Sequence, residues 1–436
     1  MNKLSNLPPK GTSDWFPEEY QIRKYIFDTW RRVCISFGYE EYLTPIIESA
    51  EVFRAKSGED IGGKELMTMI DRAGRELAIR PEMTPSVTRM VSRVYEQSSK
   101  PLRYFSIANF MRNEKPQKGR NREFWQLNCD IFGSSSVNAD VEILQLSIEI
   151  MKSFGADETN FVFYFNDRRL IDAFIRSYLK VENDKVQLVT RIIDKFRKIP
   201  NDELVKRLKE EASATISNEQ EFINYLSGDE KIVQEVQDLY FKNDEGFQNV
   251  KKIIELLGDL GYSKYLIFNP SMVRGFDYYD GIIFEVFDRK MEELRKDKDN
   301  NITYRSLFGG GRYNGLAAIF GSKSFPAVGF APGDETTRIF LQENGLIDSL
   351  KLKRIVYYVP LISNELIIET NLIVQTLRDS GKEVILGLEE QRVGKALDYA
   401  NKRNLDFVVI FGEDEKAKMT YKIKNMGNGE EVEYRI

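Results

Sequence analysis

Five cations crowd into eleven residues at Arg112, Lys115, Lys118, Arg120 and Arg122, and the aromatic pair Phe124 and Trp125 follows directly. Guanidinium forks bind phosphate oxygens bidentately, and an aromatic strand residue such as Phe124 offers a base a stacking face. Upstream, Glu82 and Thr84 stand between Pro81 and Pro85, where side chains of a turn can point into a pocket. Downstream, Gly309, Gly310 and Gly311 precede Arg312 and Tyr313. Triple glycine lets backbone approach a ligand closely. It is not a P-loop, because no Lys-Ser/Thr follows at the required spacing. Histidine is absent from all 436 residues, which excludes Ser-His-Asp and Cys-His catalysis. With Cys34 and Cys129 the only thiols, too few soft ligands remain for a structural zinc site. The chemistry therefore falls to carboxylates, Arg, Lys, Tyr, amides and Mg²⁺.

These groups need elements to carry them. Residues 102–107 and 124–132 are aromatic and β-branched with partial alternation, which predicts two strands. Pro116 and Gly119 make the cationic segment between them a loop, so the unit is a hairpin with a long basic tip. Ile22, Ile26, Trp30, Val33 and Phe37 recur at helical spacing, with Gly38 placed to end the helix. Tyr39 to Glu48 reads as one strand broken at Pro45, at an edge or bend. Residues 77–79 form a strand that turns at the two prolines into a helix over 86–95. Residues 138–152 and roughly 168–260 read as helical, the latter an inserted subdomain. A strand is predicted over 273–287, carrying Tyr278 and Tyr279. Strand alternation there would point one of the two tyrosines away from any site. A polar arm follows to Asn301, and residues 325–338 run from strand into helix. From about 346, strands and helices alternate in the manner of a small α/β domain with a mostly parallel sheet.

Composition sets the frame. The chain has 42% hydrophobic and 30% charged residues, as soluble globular proteins do, and is long enough for two or three domains. No apolar run spans a bilayer and no signal-peptide core opens the chain, so no membrane partner is predicted. Two thiols fit a reducing, cytoplasmic location better than a disulfide framework. A net charge of −5 argues against a general nucleic-acid coat protein, so any nucleic-acid contact rests on local basic patches.

The motifs together resemble the class II aminoacyl-tRNA synthetases, most closely the histidyl-tRNA synthetase family, over nearly the whole length. Residues 9–14 resemble the family's opening. Residues 44–48 are similar to motif 1, the dimer-forming motif, and residues 112–124 to motif 2. Arg274-Gly275-Phe276-Asp277-Tyr278-Tyr279 resembles the histidine-specific signature, and residues 310–313 its second part. The resemblance implies an α+β catalytic domain over 1–345, an antiparallel sheet flanked by helices with the insertion at about 168–260. It implies an anticodon-binding α/β domain over 346–436. The implied reaction joins histidine and ATP, with Mg²⁺ accompanying the nucleotide, and passes the acyl group to the 3′ end of tRNA(His). Homodimerisation through motif 1 is implied as well.

Residue by residue, the resemblance assigns histidine to Glu82, Met83, Thr84, Arg112, Gln126, Asp130, Arg274, Tyr278 and Tyr279. Arg112 and Arg274 carry the catalytic charge. ATP falls to Arg112, Glu114, Arg120 and Phe124, and tRNA contacts to Gln117, Lys118 and Arg122, with no metal held by protein alone. Motif 3 departs from the pattern: Thr336 stands where an arginine is usual, and the nearest arginine is Arg338. A catalytically inert paralogue, regulatory in histidine biosynthesis, is the competing reading. Such relatives generally lack the anticodon domain and degrade the signatures. A class II synthetase for another amino acid is opposed by the 274–279 signature.

Overall fold

The computed structural model describes residues 4–55, 65–117, 119–196, 198–273, 278–290, 306–347 and 355–436. The chain divides into two compact units, Met1–Leu350 and Lys351–Ile436.

The strands of the first unit are β1 (Glu40–Glu41), β2 (Ile47–Ser49), β3 (Met67–Ile70), β4 (Glu76–Ile79), β5 (Leu102–Met111), β6 (Glu123–Phe132), β7 (Phe161–Asp167), β8 (Leu266–Phe268), β9 (Ile282–Asp288), β10 (Phe308–Arg312) and β11 (Ala327–Phe330). Eight of them form one sheet in the order β1-β5-β6-β11-β10-β9-β7-β8. Its centre is antiparallel; β1 joins β5, and β8 joins β7, in parallel. The cationic hairpin is its longest pairing, running from Leu102↔Phe132 to Met111↔Glu123 without a slip. Alternation places Phe124, Gln126, Asn128 and Asp130 on one face of β6 and Trp125, Leu127, Cys129 and Ile131 on the other.

The second face carries the helices. Helix Pro17–Ser36 starts with Pro17, Glu18 and Glu19 in its first turn, where proline lacks no needed N–H and acids meet the helix dipole. It buries Ile26, Trp30, Val33 and Cys34 at steps of three and four, and Gly38 follows it at φ +79°. Helix Val137–Ser153, capped by the Ser136 hydroxyl, packs beside it. Helices Val186–Ile193, Asn201–Ala212, Glu219–Ser227, Glu230–Tyr240 and Glu245–Asp259 occupy the stretch before β8.

Two expectations are corrected in this unit, and one strand is added. Tyr39 to Glu48 is not one strand. β1 belongs to the large sheet, while β2, beyond Pro45, pairs with β4 in a three-stranded sheet ordered β2-β4-β3. Proline has no N–H for a ladder, and the pairing changes partner there. The strand expected from 273 begins only at Ile282, so Tyr278 and Tyr279 lie in the irregular approach to it. β7 sits where no strand was expected. The polar arm falls mainly on residues outside those described.

The second unit holds β12 (Val356–Leu361), β13 (Glu383–Glu390), β14 (Phe407–Ile410), β15 (Thr420–Asn425) and β16 (Glu431–Arg435), ordered β13-β12-β14-β15-β16. Two pairings are parallel and two antiparallel, so the sheet is mixed rather than mostly parallel. Helices Ile367–Asp379 and Val393–Lys402 supply the crossovers that parallel neighbours require.

Candidate active site

The floor of the site is the open face of β6, β11 and β10. Asp130 on β6 lies opposite Gly329 on β11, which lies opposite Gly311 on β10. A Cβ on Gly329 would collide with the Asp130 carboxylate, and one on Gly311 would stand 2.9 Å from the Tyr279 ring. These two glycines admit the side chains of the site itself; the close approach is made by Asp130 and Tyr279.

Asp130 is buried, 4% exposed. Its Oδ1 accepts the Tyr313 hydroxyl at 2.5 Å, while its Oδ2 is buried and has no hydrogen-bond partner among the described residues. Burial pushes the carboxyl up to about 7, and the Tyr313 hydrogen bond opposes that shift. Tyr313 and Tyr278 meet with ring centres 5.9 Å apart, and Tyr278 and Tyr279 at 5.1 Å. Burial drives all three phenols above the ordinary tyrosine range, so they are neutral donors at any working pH. Because Tyr278 and Tyr279 precede β9, strand alternation does not send one of them away; both join the site.

The turn after β4 supplies the opposite wall. The Tyr278 hydroxyl donates to Glu82 Oε2 at 3.1 Å and also bonds the Thr84 side chain. Helix Thr84–Ser92 begins here with Pro85 in its first turn, so the strand-to-helix corner holds both residues in place. Met83 is fully buried in the apolar cluster beneath, its sulfur accepting the Thr44 hydroxyl at 3.2 Å. Its side chain shares that cluster with Tyr278 and Tyr313. Arg80 ties the corner to the hairpin through Asn109 O at 2.9 Å and to Thr44 O at 2.8 Å.

Arg112 leaves β5 at the same end. Its Nε donates to Pro81 O at 3.0 Å and its guanidinium lies 5.0 Å from the Phe124 ring centre. Burial lowers its pKa, with Glu82 and Glu65 supporting the charge. Phe124 stacks on Phe110 at 5.6 Å. The Gln126 amide donates to Ala331 O at 3.1 Å, on the same strand face as Asp130.

The basic tip is folded back on itself. Arg120 is ion-paired with buried Glu114 and reaches Glu65 at 3.4 Å. Gln117 and Arg120 close a tight turn through paired backbone bonds of 3.0 and 2.9 Å. Arg122 braces the tip: its Nε donates to Glu114 O at 3.1 Å and its backbone N–H to Gly11 O at 2.8 Å. Gly119 faces Thr336 and Ile339 of helix Asp334–Glu343. On that helix Arg338 pairs with Glu335 at 2.7 Å and Gln342 at 3.1 Å. Arg274 and Lys118 lie outside the described residues.

The structure thus brings Glu82, Thr84, Arg112, Gln126, Asp130, Tyr278 and Tyr279 around one cleft, with Glu114, Arg120 and Phe124 at its hairpin end. It adds Tyr313, which sequence reasoning passed over as part of a glycine motif. Two residues beyond Gly311 in an extended segment is the same face, and that spacing was the available signal. Arg312 of the same motif faces elsewhere: it is buried against Asp140 at 2.6 Å.

Comparison with known proteins places the whole chain among relatives. A family model of histidyl-tRNA synthetase matches residues 11–334, and one of an anticodon binding domain matches residues 356–436. A histidine–tRNA ligase of Leptospira biflexa is 37% identical over 429 residues, covering 98% of this chain and 94% of its own. One of Pyrococcus furiosus is 34% identical over 433 residues, covering 98% and 96%. The crystal structure of histidyl-tRNA synthetase from Nostoc sp. PCC 7120 superposes with a TM-score of 0.80 at 24% identity, over 99% of this chain and 97% of that one.

Proposed function

The chain belongs to the histidyl-tRNA synthetase family, and from that membership we propose that it is a histidine–tRNA ligase whose Asp130 reads the imidazole ring. The observation that carries this reading is the buried Asp130 Oδ2, which has no partner among the described residues, with Oδ1 fixed by Tyr313. An unsatisfied buried acceptor is costly unless a ligand donor completes it. An imidazole N–H does so, and the tyrosines around it offer apolar faces and hydroxyls.

In this reading Glu82, Thr84 and Gln126 receive the α-ammonium group. Arg112 bridges the substrate carboxylate and the α-phosphate, and Arg274 adds the second cation there. Phe124 and Glu114 hold adenine, and Arg120 takes the outer phosphates of MgATP once it exchanges Glu114 for them. A carboxylate oxygen of histidine attacks the α-phosphorus and pyrophosphate departs. The 3′-terminal ribose hydroxyl of tRNA(His) then attacks the acyl carbon and AMP departs. Positioning and charge stabilisation account for such catalysis without a protein nucleophile.

Gln117, exposed at the tip, and Lys118 serve the tRNA, as does the second unit; Arg122, expected there, acts first as the brace of the loop. Homodimerisation runs through the motif 1 region, where Leu43, Ile46, Ile47, Met69 and Ile70 are exposed together around the three-stranded sheet. The location is cytoplasmic, in keeping with two unpaired thiols. The regulatory-paralogue reading is not favoured, because the anticodon-binding match covers residues 356–436 of the second unit. Charging of a tRNA(His) transcript by the full chain tests the proposal; adenylate formation without transfer, or no charging, would refute it. Arg274→Ala should lower the rate about 10²–10³-fold, the usual effect of one such electrostatic donor.

A further inference from the structure

The chain's only thiols, Cys34 and Cys129, are 95 residues apart in sequence, yet their sulfurs lie 3.2 Å from each other. Cys34 sits on helix Pro17–Ser36 and Cys129 on the helix-facing side of β6, and both are fully buried. Both are free thiols in direct contact. Closing them to a disulfide length of about 2.05 Å needs a relative shift of about 1 Å.

That shift would act on the site. Cys129 precedes Asp130 on the strand, and Asp130 has no slack: its carboxylate rests on Gly329 and is held by Tyr313 at 2.5 Å. Misplacement of a site by about 1 Å can cost about 10²-fold. We propose that Cys34 and Cys129 form a two-electron oxidation site whose closure weakens histidine binding. A peroxide is the oxidant. One thiolate attacks the O–O bond, giving a sulfenic acid and water; the second thiol displaces the hydroxyl as another water and the S–S bond forms. Two thiols and one peroxide yield one disulfide and two waters. The reaction is slow, because burial pushes the Cys129 thiol well up and the helix must part transiently from the sheet. The inference rests on Asp130 as the histidine reader.

The test uses the full-length protein treated with hydrogen peroxide and then catalase. Non-reducing peptide mapping should recover a Cys34–Cys129 cross-link. In pyrophosphate exchange the KM for histidine should rise at least about fivefold, the lower end of ordinary site-to-site coupling, while that for ATP stays within about twofold. Dithiothreitol should reverse both the cross-link and the KM change. Cys34→Ala, or Cys34→Ser should the first variant not fold, should keep its histidine KM through the same treatment. Native protein that never cross-links, or cross-linked protein with an unchanged histidine KM, overturns the proposal. Asp130→Asn without a histidine defect in reduced protein would fault the reading of Asp130 instead, leaving the cross-link result standing.

Discussion

The Tyr313 hydroxyl donates to Asp130 Oδ1 at 2.5 Å, and this bond opposes the burial that pushes the Asp130 carboxyl up to about 7. The carboxylate must be charged to accept an imidazole N–H well. Tyr313→Phe removes the bond, so the Asp130 pKa rises further and less carboxylate exists at neutral pH. Histidine KM near pH 7 should rise about tenfold or more, the usual worth of a hydrogen bond to a charged group. The pH at which KM begins to climb on acidification should also move upward. An unchanged profile would remove Tyr313 from substrate recognition.

Asp130 also leaves a signature in stability. Its folded pKa, about 7, lies above the ordinary value near 3.9, so the folded state holds the proton more tightly than the unfolded one. The associated stability is complete below the unfolded value and is lost as pH rises through about 7. Asp130→Asn should therefore melt close to the parent at acid pH and above it at pH 8, in exchange for lost histidine binding. Equal melting temperatures at both pH values would contradict the buried-carboxyl assignment.

Gly329 has no room for a methyl group, because its Cβ would meet the Asp130 carboxylate and the Cys129 carbonyl. Gly329→Ala should displace Asp130 and raise histidine KM by about tenfold or more, in line with the cost of small misplacements at a site. Gly315→Ala, where nothing lies within 4 Å, is the control and should behave as the parent. Kinetics of the two side by side decide between a crowded floor and a general intolerance of substitution.

Arg120 and Arg338 compete for the role usually given to the motif 3 arginine. Arg338 is tied to Glu335 and Gln342 along its own helix, and partly exposed pairs of this kind contribute little. Arg120 sits at the cleft on the hairpin tip, paired with Glu114 and Glu65. Arg120→Ala should raise the ATP KM about tenfold or more and Arg338→Ala less than about twofold, by the worth of charge-assisted bonds. An ATP defect confined to Arg338→Ala would move the phosphate contact to that helix.

Local pattern made the hairpin legible: ten paired residues of aromatic alternation around a Pro and Gly tip need no tertiary help. Glu82 and Thr84 were legible because prolines fix a corner wherever they fall. Tyr278 and Tyr279 were placed in a strand because aromatic and β-branched residues continue into β9. Where the ladder starts depends on its partners β10 and β7, which local sequence does not reveal. Arg122 carries the same charge as Arg120, and only the packing of Gly11 against it turns it into a brace. The buried setting of Asp130 is a property of three strands meeting, and no single segment encodes it.

ATP–pyrophosphate exchange with each standard amino acid in turn, using the full-length protein, tests the central claim most directly. The account predicts exchange with histidine alone, at a KM that Asp130→Asn raises while the ATP KM holds. Exchange driven by another amino acid, or none with histidine, would contradict it.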